Sequence, residues 1–291
     1  MSKPFIKWAG GKTQLLSAIK QRYPTTCKKY CEPFVGGGAV LFDLLENYEP
    51  EQVLINDSNK EVMNVFECIK SNLTQLLEAL YIIKERYCNA SEEAKRNLYY
   101  EARGRFNQLK LACNANDNLE KAKLFIFLNK TCFNGLYREN ASGEFNVPFN
   151  NAKNPAFYDE PNIIACSKLL QNVTINSGDY RSCFSFIDAD TFVYIDPPYR
   201  PLTKTASFTT YTRIGFSEKD QKDLAAFVKR CCNKGAKVLV SESDPHNINE
   251  HDDFFDKLYA GYKIERVEAG RAINSKGNKR GRITELLISS Y

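Results

Sequence analysis

Short β-forming runs alternate with helix-like stretches along much of this 291-residue chain, and this alternation restricts its fold most strongly. The predicted strands are Lys29–Pro33, Gln52–Asn56, Asn172–Asn176, Thr191–Ile195, Ala236–Ser241, Tyr262–Glu268 and Arg282–Ser290. The predicted helices include Ala39–Glu46, Lys60–Lys70 and Glu218–Cys232, the last with Ser217 as its cap. Such alternation predicts an α/β sheet with helices on both faces.

A long region, Asn59 to Tyr158, interrupts the alternation because it has helix-like periodicity and no β runs. Within it, polar and apolar residues alternate from Asn134 to Phe149 on both sides of an Asn140-Ala141-Ser142-Gly143 segment. That composition is typical of a β-hairpin and its tip. The sequence therefore predicts a helical insertion that carries a hairpin.

The charge balance permits an anionic partner without requiring one, since 40 Lys and Arg face 35 Asp and Glu, for a net charge of +5. Two stretches, Pro197–Ser217 and Gly270–Arg282, contain basic residues and no acidic ones. They either follow a phosphate backbone or are solvated loops, and composition alone does not separate these alternatives.

The ten cysteines do not indicate a disulfide framework, because the chain is long and its N-terminus lacks the apolar run of a signal peptide. We therefore expect a reducing, cytoplasmic environment. No cysteine pair has zinc-knuckle spacing, and His246 and His251 share one acidic stretch, so we expect neither a structural metal nor a catalytic His triad. No apolar stretch approaches the roughly 20 residues that cross a bilayer.

A glycine-rich turn, Gly36-Gly37-Gly38, follows the first predicted strand and precedes a helix-like segment. Such a turn lets a ligand approach the backbone closely, although a purely structural turn has the same sequence. A dinucleotide-binding fingerprint would need Gly or Ala where the chain has Leu41, which disfavours NAD. A phosphate-binding loop at Lys7–Thr13 is also disfavoured, because Ile6 occupies the place of its first Gly.

Asp57 ends the second predicted strand, where a nucleoside-binding sheet places the carboxylate that accepts hydrogen bonds from ribose hydroxyls. The alternative is that Asp57 caps the helix that begins near Asn59. Together, the glycine turn and Asp57 are more specific for a nucleoside site than either is alone.

The segment Asp196-Pro197-Pro198-Tyr199 follows the strand Thr191–Ile195 and carries the most chemical information. The 6-amino nitrogen of adenine is a poor nucleophile towards a sulfonium methyl group, because its lone pair is delocalised. The Asp196 carboxylate and the Pro197 carbonyl on a rigid turn would accept both amino hydrogens and favour a tetrahedral nitrogen. Tyr199 offers a flat face to a base swung out of a duplex. An ordinary β-turn has the same composition.

The segments KWAGGK and EPFVGGGAV, the insertion and DPPY, in this order, closely resemble the Dam-type adenine-specific DNA methyltransferases over nearly the whole chain. PLTKTASFTTY and RAINSKGNKRGRITELL resemble the same family. The resemblance implies a Rossmann-like methyltransferase sheet, S-adenosylmethionine as cofactor, and duplex DNA as partner, with a flipped adenine within GATC as target. It also implies a catalytic domain of residues 1–58 and 159–291 and a DNA target-recognition domain of residues 59–158.

The resemblance assigns roles to individual residues. The cofactor-binding residues would be Trp8, Lys12, Phe34, Gly36, Asp57, Asp179, Tyr180 and Asp196. The catalytic residues would be Asp196, Pro197 and Tyr199. The DNA-binding residues would be Lys130, Phe133, Asn134, Leu136, Arg138 and Pro148. Among these, Arg138 would contact a guanine edge, Lys130 a phosphate, and Phe133 would enter the base stack.

The chain departs from the family at Asn150-Asn151-Ala152-Lys153, where related sequences carry Gly-Arg-Tyr-Lys, so one base-stacking and one phosphate contact are not transferred. Two other functions stay open. One is an enzyme of the same fold that methylates RNA or protein, although glutamine-directed members have Asn in place of Asp196. The other is a DNA-binding module with a decayed cofactor site, although the named cofactor positions are intact.

Overall fold

The computed structural model describes residues 2–112, 114–151, 155–200, 216–269 and 283–291. The strands are β1 (Lys29–Glu32), β2 (Gln52–Asp57), β3 (Val173–Ser177), β4 (Thr191–Ile195), β5 (Lys237–Ser243), β6 (Lys263–Ala269) and β7 (Ile283–Ser289). Within these described ranges they form a seven-stranded sheet in the order β3-β2-β1-β4-β5-β7-β6.

The middle of the sheet is parallel and one edge is antiparallel. β1 pairs in parallel with β2 and β4, and β4 pairs in parallel with β5. β7 runs antiparallel between β5 and β6, with Val240 opposite Ile288. β4 is buried along its whole length, as expected of an uninterrupted apolar run inside a sheet.

The α-helices of the described residues are numbered α1 to α9 in chain order. Their bounds are α1 (Leu16–Lys20), α2 (Ala39–Asn47), α3 (Lys60–Ser71), α4 (Leu73–Cys88), α5 (Glu92–Ala112), α6 (Asn118–Thr131), α7 (Glu160–Leu170), α8 (Glu218–Asn233) and α9 (Phe254–Leu258). Ser217 caps α8 through a reciprocal pair of hydrogen bonds with Asp220, as the sequence predicts. None of the described helices is long and apolar enough to cross a membrane.

The chain divides into two compact units that are each built from several segments. Unit 1 contains Met1–Gly11, Val35–Asn47 and Asn56–Asp179, and unit 2 contains Lys12–Phe34, Tyr48–Ile55 and Tyr180–Tyr291. The predicted catalytic and target-recognition domains have other boundaries, and that division stays a prediction.

An aromatic cluster lies in the core of unit 1. The Phe5 and Phe66 rings meet edge to face with 4.9 Å between centroids, and the Phe42 ring stacks on Phe66 at 6.1 Å. Gly38 has φ +77°, and a Cβ there would lie 3.0 Å from Phe42 and 3.1 Å from Phe66. The third glycine of the turn therefore allows the turn to pack against these rings.

Unit 2 has its own apolar core, in which α8 packs beside the buried strands β4 and β5. Val193 and Val240 of the strands belong to the same buried cluster as Leu224 and Phe227 of the helix. The apolar stripe of α8 that the sequence shows is therefore buried against the sheet.

The structure confirms the mixed α/β prediction. Each predicted strand begins and ends within two residues of an observed one, although Arg282 lies outside the described residues. The three predicted helices match α2, α3 and α8 to within one residue at each end. Helices α3 to α6 also confirm the helical periodicity of the region after Asn59.

Replacing Phe66 with alanine is expected to lower the free energy of unfolding by about 3 to 5 kcal/mol, because it leaves a cavity between Phe5 and Phe42. Urea-induced unfolding measures this loss. Ile82→Ala is the matched control, since Ile82 is 67% exposed on α4 and its change is expected to stay within about 0.5 kcal/mol. Equal losses in both variants would contradict the assignment of Phe66 to the core.

Candidate functional site

The turn that follows β4 holds its carboxylate in a buried ion pair. Lys12 Nζ lies 2.7 Å from Asp196 Oδ1, and the Lys12 side chain is only 4% exposed. Because a buried ammonium is stable only when it is paired, the two side chains fix one another. The structure thus brings together two residues that are 184 positions apart (196 − 12) and that the sequence assigns to the same site.

Tyr199 is held at both its hydroxyl group and its ring. Its hydroxyl donates a hydrogen bond of 2.6 Å to Glu285 Oε2, and Lys12 Nζ lies 4.7 Å from the ring centroid. Burial raises the pKa of the phenol well above its ordinary value, and the charges of Asp196 and Glu285 raise it further. Tyr199 is therefore a neutral donor whose ring is fixed in orientation.

Glu285 is a site residue that sequence reasoning missed. It lies on β7, and its Oε2 is 3.9 Å from Lys12 Nζ. Two carboxylates, that of Asp196 after β4 and that of Glu285 on β7, therefore lie near the Lys12 ammonium. No local sequence signal identifies Glu285, because a polar residue is ordinary at such a position in a predicted strand. Its role depends on the antiparallel pairing of β7 with β5.

In unit 1, three predicted cofactor residues lie together around the glycine turn. The backbone N–H of Gly36 donates to Asp57 Oδ2 at 3.0 Å, and that of Asn59 donates to Asp57 Oδ1 at 2.8 Å. Gly36 has φ +48°, and a Cβ there would lie 2.7 Å from the Trp8 indole. Gly36 is therefore required both for its backbone conformation and for the close approach of Trp8.

The alternative role of Asp57 as a helix cap is not observed. Asn59 caps α3 instead, because its side chain accepts from the backbone N–H groups of Glu61 and Val62. Burial raises the pKa of Asp57, while the backbone donors of Asn59, Gly36 and Ser58 oppose the rise. Each carboxylate oxygen has two lone pairs, so these bonds leave capacity for a ligand hydroxyl.

Phe34 and Tyr180 pack together in unit 2, with ring centroids 5.2 Å apart and planes tilted by 31°. Asp179, which precedes Tyr180 in the chain, is exposed. The structure thus pairs Lys12 with Asp196, Trp8 and Asp57 with Gly36, and Phe34 with Tyr180. That all of these residues line one cofactor pocket stays a prediction.

The predicted hairpin is present, although as isolated antiparallel bridges rather than long strands. Cys132 pairs with Phe149 and Glu139 with Phe145. Its tip closes through Asn140, whose side-chain oxygen accepts from the backbone N–H groups of Ser142 and Glu144. The turn residues at the tip therefore act as the sequence predicts.

The two faces of the hairpin differ in burial. The inner face packs Tyr137, Phe145 and Val147 into unit 1, each at most 4% exposed. The outer face carries the predicted DNA-contacting residues, which are Asn134, Leu136, Arg138 and Pro148. Of these, Leu136 is half-buried and the other three are exposed. The alternation expected of a hairpin thus presents Leu136, Arg138 and Pro148 away from the core, whereas Asn134 lies in the 3-10 turn Phe133–Gly135 with φ +55°.

One face of α5 holds the hairpin through the side chains of Tyr99, Arg103, Asn107 and Lys110. Their spacing of four, four and three residues places them on one side of the helix. Tyr99 and Arg103 donate to the Val147 carbonyl at 2.7 and 3.3 Å, Asn107 to that of Phe145 at 3.1 Å and Lys110 to that of Gly143 at 2.6 Å. The sequence does not reveal this set, because its partners lie in another segment.

Asn129 is a second anchor that the sequence did not reveal. It is 3% exposed, and its side chain bonds the backbone N–H and the carbonyl of Lys7, both at 2.8 Å. The same amide donates to the Gly135 carbonyl at 3.0 Å. One buried side chain therefore fixes both the segment that carries Trp8 and the base of the hairpin.

The other two predicted DNA contacts lie beside the hairpin. Phe133 is 48% exposed. Burial, together with the charges of Lys7 and Lys3, lowers the pKa of Lys130 to about 8. A phosphate close to these lysines would favour the charged form of Lys130.

Several sequence predictions concern residues whose structure is not described. Positions 201–215 contain most of the first basic stretch and the PLTKTASFTTY segment, and positions 270–282 contain the second basic stretch. Ala152 and Lys153, in the segment that departs from the family pattern, also lie outside the described residues.

The two histidines occupy an acidic loop, as the sequence indicated. His246, Asp253 and Asp256 offer ligand atoms within 4.8 Å of one another. However, both oxygens of Asp256 accept from Arg266 Nη2, at 2.8 and 3.1 Å. An ion pair therefore accounts for the position of Asp256 without a metal.

Unit 2 contains a buried acid, Glu242, and a buried amide, Gln221. Glu242 and Gln221 are both fully buried, and Gln221 Nε2 is 3.5 Å from the Pro198 oxygen. Neither carboxyl oxygen of Glu242 has a hydrogen-bond partner among the described residues. Burial raises the pKa of Glu242 well above its ordinary value and the charge of Asp196 raises it further, while the ammonium of Lys12 opposes the rise.

Glu242→Gln is expected to make the protein less sensitive to rising pH. Because the native pKa of Glu242 is raised, the folded protein holds this proton at pH values where the unfolded chain releases it, so stability falls as pH rises above about 4. The variant removes that contribution. Its free energy of unfolding should exceed that of the wild type at neutral pH, and the difference should shrink towards pH 4.

Glu250→Gln is the control for this experiment, because the Glu250 side chain is 83% exposed. Urea unfolding of the three proteins at several pH values measures the effect. A constant difference between Glu242→Gln and the wild type at all pH values would contradict a protonated Glu242.

Comparison with known proteins identifies the family. A model of the D12 class N6 adenine-specific DNA methyltransferases matches residues 8–273. The chain is 48% identical to the Type II methyltransferase M.MjaIII of Methanocaldococcus jannaschii, and the match covers 99% of both chains. It is 36% identical to the Type II methyltransferase M1.LlaDCHI of Lactococcus lactis subsp. cremoris, over 99% of this chain and 95% of the relative.

A third relative carries the name that the motifs suggested. The chain is 32% identical to the DNA adenine methylase of Escherichia coli, over 98% of this chain and 94% of the relative. Both the family model and these identities confirm the resemblance drawn from the cofactor and DPPY segments. The chain belongs to the D12 class of N6 adenine-specific DNA methyltransferases.

Proposed function

We propose that this DNA adenine methyltransferase uses S-adenosylmethionine to methylate the flipped adenine of GATC in duplex DNA. The observation that carries the proposal is the ion pair between Lys12 and Asp196, 2.7 Å long and largely buried, which fixes the first residue of the DPPY turn. A fixed hydrogen-bond acceptor at the end of a strand is what an amino-group methyltransferase needs.

The residues of unit 1 fit the nucleoside part of such a cofactor. Asp57 keeps lone pairs for ribose hydroxyls while two backbone N–H groups hold its oxygens, and Trp8 lies against Gly36 where a side chain has no room. We assign Phe34, Asp179 and Tyr180 to the same binding function by the family resemblance. When bound, S-adenosylmethionine supplies an electrophilic methyl group.

The catalytic residues act on the amino group of adenine. Asp196 and the Pro197 carbonyl accept its two hydrogens, which localises the nitrogen lone pair as the new bond forms. Lys12 holds the Asp196 carboxylate through Oδ1 at 2.7 Å and so fixes the position of this acceptor. Tyr199, with its hydroxyl held by Glu285, offers its ring to the base.

The outer face of the hairpin reads the target. We propose that Arg138 pairs with the O6 and N7 atoms of a guanine in the major groove. Asn134, Leu136 and Pro148 line the same surface, Phe133 enters the base stack, and Lys130 contacts a phosphate. The exposure of Arg138 and Phe133 supports these roles. In this proposal the catalytic domain is Rossmann-like, and residues 59–158 form the inserted target-recognition domain.

Methyl transfer should depend on the target sequence and on Asp196. Labelled methyl from S-adenosylmethionine is expected to enter a GATC duplex and not a duplex in which that site is scrambled. Asp196→Ala should lower the rate about 100-fold or more and leave DNA binding intact, because it removes an acceptor of the reacting amino group. Label in both duplexes would contradict GATC specificity, and label in tRNA or peptide would contradict DNA as substrate.

Arg138→Ala and Lys130→Ala should have different effects on DNA recognition. Arg138→Ala is expected to lose about 1 to 3 kcal/mol of discrimination at one base pair, because it removes a contact to a base edge. Lys130→Ala should weaken binding to all duplexes alike and reduce its salt dependence, because it removes a phosphate contact. Titrations of labelled cognate and scrambled duplexes measure both. Equal losses on the two duplexes for Arg138→Ala would contradict its assignment.

A further inference from the structure

We infer that Asn146 is a specificity-determining residue that orients the guanidinium of Arg138 for base recognition. The inference rests on the proposed function, in which Arg138 reads a guanine edge. Arg138 Nε donates a hydrogen bond of 2.8 Å to Asn146 Oδ1. None of the sequence motifs marks Asn146 as a functional residue.

The two residues face one another across the hairpin. The backbone N–H of Asn146 donates to the Arg138 carbonyl at 3.0 Å, and the neighbouring bridge joins Glu139 to Phe145. Side chains directly opposite one another in an antiparallel pair point to the same side and lie within contact distance. The register of the hairpin therefore places the Asn146 amide beside the base of the guanidinium on the outer face.

The contact uses one part of the guanidinium and leaves the rest for a ligand. Arginine has five N–H donors, of which Nε has one and the two terminal nitrogens have four. An acceptor on Nε restrains the plane of the group, and the contact does not use the four donors of the terminal nitrogens. A guanine presents O6 and N7 side by side in the major groove, which suits such a fork.

The chemistry of asparagine suits this position better than that of an acid. An amide oxygen accepts from Nε without neutralising the positive charge, so the attraction between Arg138 and DNA phosphates is retained. Arg138 is exposed, and a free arginine side chain there would have to be ordered when DNA binds. Ordering such a side chain costs conformational entropy, and a contact already made in the free protein reduces that cost.

The backbone at Asn146 is itself fixed on both sides. Asn107 bonds both backbone groups of Phe145, accepting from its N–H at 2.8 Å and donating to its carbonyl at 3.1 Å. Tyr99 donates to the Val147 carbonyl at 2.7 Å. The amide that orients Arg138 is therefore carried by a strand that α5 holds in place before DNA binds.

The test is a double-mutant cycle on sequence discrimination. Wild type, Asn146→Ala, Arg138→Ala and the double variant are assayed for methyl transfer to the cognate duplex and to duplexes with single base-pair changes. Asn146→Ala is expected to lower discrimination about 3- to 30-fold, at the same base pair as Arg138→Ala. The reason is that the Arg138 side chain must then be ordered when DNA binds, at a cost of up to about 2 kcal/mol. In the Arg138→Ala background it should have no further effect.

Two further variants separate positioning from a general loss of structure. Asn146→Asp keeps an acceptor for Nε, so it should retain discrimination while its negative charge slows transfer to every duplex. Ser142→Ala, at the exposed tip of the same hairpin, should match the wild type. All variants should bind S-adenosylmethionine with unchanged affinity.

Three results would overturn the inference. Asn146→Ala with full discrimination would show that the contact has no role. Loss at a different base pair, or a loss that adds to that of Arg138→Ala, would make Asn146 a direct reader of DNA. Loss of discrimination in Asn146→Asp as large as in Asn146→Ala would show that the acceptor does not matter. A failure of the proposed function would be recognised in the other two proteins. Either the wild type would show no sequence preference, or Arg138→Ala would keep the preference of the wild type.

Discussion

The buried ion pair between Lys12 and Asp196 is the interaction on which the proposed chemistry depends most. Removing a carboxylate and an ammonium from water is costly, and the cost is tolerable only when each has close partners. Lys12 has Asp196 at 2.7 Å, Glu285 at 3.9 Å and the Tyr199 ring at 4.7 Å. Loss of Asp196 would remove the nearest counter-charge of the buried ammonium, and the same ammonium links the turn after β4 to the strand β7.

The sequence predicts the elements and the strand-end residues because both are encoded locally. Apolar runs of strand length predict β4, and the chemistry of the four residues after it identifies Asp196 without any tertiary information. Glu285 and Asn146 could not be found in this way. Each resembles an ordinary polar residue in its own segment, and its role comes from a partner that strand pairing brings opposite it.

The hairpin also shows what a local sequence pattern does not predict. Alternation predicts which residues face outwards, and the structure agrees for Arg138 and Pro148. It does not predict that side chains of α5 donate hydrogen bonds to every second carbonyl along one side of the hairpin, those of Gly143, Phe145 and Val147. Short antiparallel bridges are weak alone, so this helix supplies the rigidity that a pair of long strands would otherwise provide.

Two of the proposed ligand-contacting side chains share their hydrogen-bonding capacity between the protein and the ligand. The Asp57 oxygens accept backbone N–H groups and keep lone pairs, while Arg138 donates from Nε to Asn146 and keeps its terminal donors. Partial engagement fixes the orientation of a group before the ligand arrives, which reduces the entropy that binding must remove. A side chain whose donors and acceptors were all bonded within the protein could not bind a ligand. A side chain with no such bonds would be disordered before the ligand binds. The neutral partners, backbone amides for Asp57 and a side-chain amide for Arg138, also leave the charge of each group intact for its ligand.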